Sequence, residues 1–296
     1  MPDIQLRFDK DMLVLSSPVQ AALEKQGFDT AKDLGYACLV EPELVRDALV
    51  MNKVAGAQVM VAPTAYLTPA RLAHQHLDGR AQEVAEAAVS AARKVEPQHL
   101  LLEIAPCGLP LDASSKASLN ENRAQYAEAA RVLAPFDADA LFLNGFASAD
   151  DLKCALMGVR QVWEGPLFVS VNVRADGMLE GGRHSFEEAL AAMADLGADV
   201  VGLQTGAPLA DASALASKAA SWGRPSLVQL SVGPRDDRQG GPTAENPYYC
   251  PDVLVEAATV LRGCGTQFLR ACGCATPAYT GALVAASEGF DVMVAK

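Results

Sequence analysis

Short apolar runs recur along the chain, and a segment with hydrophobic residues every three or four positions follows most of them. The apolar runs show little alternation with polar residues, which is typical of strands buried on both faces of a parallel sheet. Eight such strands are predicted, over residues 12–16, 57–62, 99–104, 139–144, 167–173, 198–204, 226–231 and 267–271. Amphipathic helices are predicted between them, over residues 42–54, 81–95, 120–133, 185–196 and 252–262.

The order of these elements predicts the fold class. A glycine or another small residue closes a helix and a new apolar run begins near residues 55, 136, 196 and 264. Strict alternation without a low-complexity linker favours a (β/α)8 TIM barrel, as a single domain over residues 1–296. An open doubly wound sheet is the alternative. No Gly-x-Gly-x-x-Gly follows the first strand, so no nucleotide cofactor is expected.

In a barrel of this class, reacting groups sit at the carboxyl ends of the strands. These ends are polar, mostly neutral and rich in amides. We predict that Cys272 and Glu103 are catalytic, and that Cys272 and Cys274 are candidate metal ligands. Predicted substrate-binding residues are Ser16, Thr64, Asn144, Asn172, Gln204, Thr205 and Ser231. The four histidines lie away from these ends, and we predict them on the solvated surface.

Charge and cysteine content narrow the function classes. The net charge of −12 argues against binding to nucleic acid and to anionic membranes. No apolar run is long enough to span a bilayer, and the first residues lack the pattern of a signal peptide. Seven cysteines, an odd number, indicate a reducing compartment, and we predict the cytoplasm.

Two segments carry a resemblance to a known family. Residues 41–59 run through a helix and an Ala-Gly-Ala turn into the second strand, and Cys272-Gly-Cys-Ala-Thr-Pro ends the eighth. Over roughly residues 13–289 the sequence resembles the homocysteine S-methyltransferase family, which includes betaine–homocysteine methyltransferases. The resemblance implies a (β/α)8 barrel in which three cysteines bind zinc. Zinc there lowers the pKa of the homocysteine thiol and presents a thiolate to the methyl donor.

The sequence departs from the family pattern at the positions that this chemistry uses. Thr205 stands where strand six carries the third cysteine, and Gly273 stands at the second cysteine of the pair. The family's acidic and amide positions after strands one, four and seven are Ser16-Ser17, Asn144-Gly145 and Leu230-Ser231. Because these positions change together, the sequence favours a site in which the usual zinc and homocysteine contacts are not intact.

Three hypotheses follow. The favoured one is methyl transfer that involves a small methylated amine, a betaine or a thiol, without zinc and with Cys272 as a candidate methyl acceptor. The second is a zinc-dependent homocysteine S-methyltransferase in which Cys107 or Cys250 joins Cys272 and Cys274. The third is a non-catalytic paralogue that binds a partner. The family's chemistry also implies a small-molecule methyl donor and acceptor, with a corrinoid protein as a candidate partner. A homo-oligomer is a further candidate assembly.

Overall fold

Eight parallel strands form one sheet that closes on itself. The computed structural model describes residues 4–234, 236 and 238–293. The strands run β1 to β8 in chain order, and each pairs with the next from β2 onward, with β8 beside β1. A parallel bridge between Leu15 and Val59 joins β1 to β2 and completes the (β/α)8 barrel that the sequence predicts. The strands are β1 (Leu13–Val14), β2 (Val59–Ala62), β3 (His99–Ile104), β4 (Ala140–Phe146), β5 (Leu167–Asn172), β6 (Val200–Thr205), β7 (Ser226–Val232) and β8 (Phe268–Gly273).

Helices surround the barrel. All five helices that the sequence predicts are present, and residues 42–54 form a helix with the predicted bounds. The α-helices of the described residues are α1 (Gln20–Glu24), α2 (Thr30–Val40), α3 (Pro42–Val54), α4 (Pro69–His74), α5 (Ala81–Arg93), α6 (Lys116–Leu133), α7 (Ala149–Val159), α8 (Phe186–Asp195), α9 (Leu209–Ala220), α10 (Pro251–Gly263) and α11 (Pro277–Ser287). Their local signals are consistent with these bounds: Ser185 and Glu188 form a capping box on α8, and proline opens α3, α4, α10 and α11.

The inside of the barrel is filled by every second residue of each strand, because successive side chains of a strand point to opposite faces. At the amino-terminal end these inward residues are apolar. Phe168 packs edge-on against Phe268, with ring centroids 4.8 Å apart, and Phe142 lies 6.4 Å from Phe168. A 3-10 helix (Ile4–Arg7) covers this end, and the ring of Phe8 contacts both Phe168 and Phe268. This end of the barrel is therefore closed by packing.

One predicted surface residue is buried. His99, at the start of β3, is fully buried and lies 3.3 Å from the carboxylate of Asp139 through Nδ1. The prediction failed because a strand start faces the inside of the fold as readily as its middle does. Among the described residues, no helix is both long and apolar enough to cross a bilayer.

Candidate functional site

A buried arginine sits in the middle of the barrel interior. Arg270 of β8 is 2% exposed, two residues above Phe268 on the inward face. Its Nε donates to the carbonyl oxygen of Ser16 at 3.0 Å, and its Nη1 donates to Oε1 of Gln229 at 3.2 Å. A buried guanidinium needs such partners, because an uncompensated buried charge is costly.

Four side chains complete a polar ring around this arginine. Nε2 of Gln229 donates to Oδ1 of Asn144 at 2.6 Å and to the hydroxyl of Ser170 at 2.8 Å. Nδ2 of Asn144 donates to Oε1 of Glu103 at 2.6 Å, and Oε2 of Glu103 lies 3.8 Å from Nη2 of Arg270. The ring fixes the Glu103 carboxylate in one orientation and sets a positive charge beneath it.

An irregularity in β4 lies beside this ring. The register between β4 and β5 shifts between Leu143 and Phe146, and Gly145 has a φ of +85°. Glycine suits that conformation because it lacks the Cβ that makes positive φ costly. Bulges of this kind are common beside active sites, where they redirect a side chain. Here the irregular segment includes Asn144, which links Gln229 to Glu103.

Above the ring lies a cavity of about 380 Å³ at the mouth of the barrel. It lies near the lower end of the roughly 300–1,000 Å³ that is typical of small-molecule sites. Four of the predicted site residues line it, namely Glu103, Asn144, Gln204 and Cys272. The ring residue Arg270 forms part of its wall as well. The structure thus brings both predicted catalytic residues to one small polar cavity.

The other predicted substrate-binding residues lie around this cavity without lining it. Ser16 and Thr64 are buried: the Ser16 hydroxyl accepts from the N–H of Val61, and the Thr64 hydroxyl donates to the Glu103 carbonyl. Their hydroxyls therefore support the strand ends. Their assignment as substrate ligands stays a prediction.

Strands β5 to β7 supply the remaining three predicted residues. Nδ2 of Asn172 donates to Glu180 at 3.1 Å, and the Thr205 hydroxyl accepts from the N–H of Ala207. Ser231 reaches the cavity indirectly, because its hydroxyl accepts from Nε2 of Gln204. Ser231 is thus a second layer behind the cavity wall.

Cys272 faces the cavity as a protonated thiol. Its Sγ lies 3.5 Å from the Ser231 hydroxyl, and the residue is 3% exposed. Burial raises the pKa of the Cys272 thiol to about 11, against a smaller opposite effect of the Ser231 hydrogen bond. At neutral pH the free protein therefore holds a thiol here, and a nearby positive charge would favour the thiolate.

Gly273 separates the two cysteines in space as well as in sequence. Its φ is +66°, and a Cβ built on it would lie 2.6 Å from the carbonyl oxygen of Val232. A cysteine at this position would therefore clash unless the backbone moved. Beyond this turn Cys274 is exposed and lines a different cavity, of about 770 Å³, together with Cys250.

These positions decide how well the chain could hold the family's zinc. Within the described part of the chain, no three His, Cys, Asp or Glu side chains are grouped as a metal would require. The Thr205 hydroxyl is hydrogen-bonded to the backbone N–H of Ala207. The Cys107 thiol donates to Oδ1 of Asn122, and its backbone N–H donates to the Tyr126 hydroxyl, so Cys107 does not face the mouth. The donor set at the mouth is thus one thiol, one carboxylate and neighbouring hydroxyl and amide groups, which does not fit a three-thiolate zinc site.

Besides Arg270, two polar lining residues after β2 were missed from the sequence. Tyr66 and Arg71 follow β2, and the Arg71 guanidinium lies 5.1 Å from the centre of the Tyr66 ring. Burial, and then the charge of Glu103, raises the pKa of the Tyr66 hydroxyl, while Arg71 acts in the opposite direction. Neither residue is at a strand end, which is where the sequence analysis searched. Their closeness in the sequence after β2, with Tyr66 in the loop and Arg71 on α4, was the available signal.

The fold and the site together define the general class: a (β/α)8 barrel with polar, partly charged residues at its carboxyl-terminal mouth. The sequence matches the homocysteine S-methyltransferase family over residues 13–265, so the chain belongs to that family. A sequence comparison with curated proteins gives no match.

Solved structures agree on the fold. The metallated form of the homocysteine methyltransferase MmuM from Escherichia coli matches with a TM-score of 0.76 and 18% identity, covering 94% of this chain and 96% of that one. Its apo form matches with a TM-score of 0.72 and the same identity and coverage. A xyloglucanase from Bacteroides ovatus matches with a TM-score of 0.53 and 15% identity, over 81% of this chain and 66% of that one. At these identities the likeness shows the barrel alone.

Proposed function

We propose that the chain binds a small methylated amine, a betaine or a thiol at the barrel mouth and takes part in methyl transfer without the three-cysteine zinc site of its family. One observation carries this proposal: the Glu103 carboxylate, fixed by Asn144, and the Cys272 thiol line the same cavity of about 380 Å³. Family membership supplies the reaction class. The residues at the mouth are the reason to propose a reaction without the family's three-cysteine zinc site.

Within the cavity, the Glu103 carboxylate offers a contact for a methyl donor that carries a positive charge. Transfer from an ammonium or sulfonium group breaks a C–N or C–S bond, and the electron pair stays on the neutral amine or sulfide. A fixed carboxylate such as Glu103 binds the cationic group and positions its methyl for attack. In-line geometry would come from the cavity walls.

The acceptor is a thiol, either Cys272 or a second substrate. If Cys272 accepts, its proton passes to solvent and a new S–CH3 bond forms on Sγ. Because burial raises the pKa of Cys272 to about 11, this requires the bound cation to stabilise the thiolate. A thiol substrate bound at the mouth needs no such change in Cys272.

Metal content separates this proposal from the zinc-dependent one. Protein expressed with zinc present should contain less than about 0.2 zinc per chain, because a thiolate zinc site would retain its metal through purification. Near one zinc per chain, lost in Cys272→Ser, would overturn the zinc-free proposal. Cys264→Ser, at the end of α10, is the matched cysteine control.

Ligand binding and turnover test the proposed ligand class and the proposed methyl transfer. Thermal shift and calorimetry against betaines, methylated amines, sulfonium compounds and thiols should find millimolar or tighter ligands that stabilise the protein. Deuterated methyl donors, followed by mass spectrometry, should show transfer to a thiol or to Cys272, with loss of transfer in Glu103→Gln. Binding without transfer, together with a co-purifying protein, would instead support the non-catalytic hypothesis.

A further inference from the structure

The hydroxyl of Ser231 lies between two residues that line the mouth cavity. Gln204 of β6 and Cys272 of β8 form part of the cavity wall, and Ser231 of β7 lies behind them. Nε2 of Gln204 donates to Oγ of Ser231 at 3.2 Å, and that Oγ lies 3.5 Å from Sγ of Cys272. Because Ser231 and Cys272 are directly opposite in the register of β7 and β8, the sheet itself sets this contact.

The bond from Gln204 determines where the Ser231 proton points. A serine hydroxyl has one proton to donate and two lone pairs that accept. One lone pair accepts from Gln204, and within the described part of the chain the Cys272 sulfur is the remaining hydrogen-bond partner of Oγ. If the thiol donated instead, the hydroxyl proton would have no acceptor. The geometry therefore favours a hydroxyl that donates to Sγ, with the S–H of Cys272 turned away from it.

Among the groups around Cys272, the Ser231 hydroxyl favours the thiolate most. Burial has the largest effect on the pKa of the Cys272 thiol and raises it. The Ser231 hydrogen bond lowers that pKa, and the positive charge of Arg270 lowers it by a smaller amount. The carboxylates of Glu103 and Glu180 raise it. The hydroxyl is thus the main support that the protein gives to a negative charge on Sγ.

We propose that Ser231, oriented by Gln204, is a positioning residue that donates a hydrogen bond to the Cys272 sulfur and stabilises the thiolate from which Cys272 reacts. The S–H proton leaves to solvent through the cavity, and Ser231 keeps its own proton. A sulfur lone pair then forms the new bond to carbon, and the leaving group takes the electron pair of the bond that breaks. The proposal rests on the proposed function only where that carbon is the methyl of a donor.

Alkylation of Cys272 by iodoacetamide tests the contact without any methyl donor. In Ser231→Ala the rate at about pH 8 should fall by about three- to tenfold. A hydrogen bond to a charged group changes the thiolate population by about tenfold or more, and the higher nucleophilicity of a more basic thiolate offsets part of that loss. Ser231→Thr should keep most of the rate, because it retains the hydroxyl. Fragment-ion mass spectrometry of the digested protein follows Cys272 separately from Cys274.

Ser226→Ala is the matched control and should react at the wild-type rate. Ser226 is a buried serine on the same strand, and its hydroxyl bonds the carbonyl of Gly265 at the opposite end of the barrel. Unfolding temperatures of Ser231→Ala and Ser226→Ala show whether a change in rate comes from misfolding.

A purely structural role of Ser231 predicts the opposite sign. Ser231→Ala removes one atom beside the thiol and gives the reagent more room, so alkylation would stay the same or become faster. Either result would overturn the proposal. Gln204→Leu should slow alkylation by a smaller factor, and it should have no further effect in the Ser231→Ala background, because Gln204 acts through Ser231. An equal effect in both backgrounds would contradict the orienting role of Gln204.

Methyl transfer, measured on the same variants, separates this inference from the proposed function. Slower alkylation in Ser231→Ala, without methyl transfer to any thiol, supports the Ser231 contact and contradicts the proposed function. Unchanged alkylation together with methyl transfer overturns the contact and leaves the proposed function standing. If Cys272 itself accepts the methyl group, the transfer rate should fall in Ser231→Ala by a factor similar to that for alkylation.

Discussion

The two ends of the barrel interior use the same strands for opposite purposes. At the amino-terminal end the inward residues are phenylalanines and aliphatic side chains, and the 3-10 helix closes them off. Two residues further along, the same inward face changes character: Phe168 is followed by Ser170, and Phe268 by Arg270. The inward positions at one end therefore hold the barrel together, and those at the other end place charges and a thiol around a cavity.

The largest expected effect on stability is at the apolar end. Phe168 is fully buried and its ring contacts those of Phe8, Phe142 and Phe268. Phe168→Ala should lower the free energy of unfolding by about 3–5 kcal/mol, measured by urea denaturation, because it opens a cavity in a closed end. Ligand affinity at the mouth should stay within about twofold, since distant sites act independently.

Phe290→Ala is the control for this variant, because Phe290 is exposed and packs under Arg262. Phe290→Ala should lower the free energy of unfolding by less than about 1 kcal/mol. If Phe168→Ala weakens ligand binding at the mouth more than the control does, the two ends of the barrel are energetically coupled and do not act independently.

At the polar end a substitution should reduce binding as well as stability. Gln229→Leu leaves Oδ1 of Asn144 and Nη1 of Arg270 without their partner. The free energy of unfolding should fall by about 1–3 kcal/mol, because a buried polar group left unpaired retains its desolvation penalty. Affinity for the ligand that wild type binds best should also fall, because Asn144 no longer holds Glu103 firmly.

Gln82→Leu, at an exposed amide that bonds Glu86, is the matched control and should change neither quantity. If Gln229→Leu lowers stability while affinity stays the same, the polar ring is only a structural feature of the barrel.

The barrel could be predicted from sequence because its signal is local and repeated. Each strand is a short apolar run, and each run is followed by helical spacing, so errors at single boundaries do not change the topology. The strand ends that carry Glu103, Asn144, Gln204 and Cys272 were found by the same argument.

The site residues that were missed depend on where each side chain points in the folded chain. Gln229 and Arg270 lie inside apolar strands, and their polar character within those runs was the signal for a buried network. Arg71 lies on a helix after β2, and only the folded chain brings it over the mouth. The separation of Cys272 from Cys274 depends on the positive φ of Gly273, which a Cys-Gly-Cys sequence does not specify.

That separation gives a prediction of intermediate size. Cys274 is exposed, whereas burial raises the pKa of Cys272 to about 11. At pH 8 iodoacetamide should alkylate Cys274 at least about tenfold faster than Cys272, because the thiolate is the reacting form and access favours Cys274. Digestion and mass spectrometry assign each modified peptide. Similar rates at both residues would show that Cys272 is far more accessible or more acidic than its environment implies.

The smallest expected effect comes from a partly exposed ion pair at the apolar end. The side-chain hydrogen bond from Arg7 lowers the pKa of Asp11, through Nε to Oδ1 at 2.9 Å. A carboxyl whose folded pKa is depressed adds stability above its unfolded pKa, and that stability is lost as pH falls through the folded value. Asp11→Asn should therefore lower the free energy of unfolding by less than about 1 kcal/mol at pH 7, because the pair is partly exposed and screened by water. The difference from wild type should shrink toward zero as pH falls below the folded pKa, and also as salt is added.

Asp78→Asn, at an exposed aspartate, is the control. A loss of stability in Asp11→Asn that does not depend on pH would assign the effect to packing instead of charge.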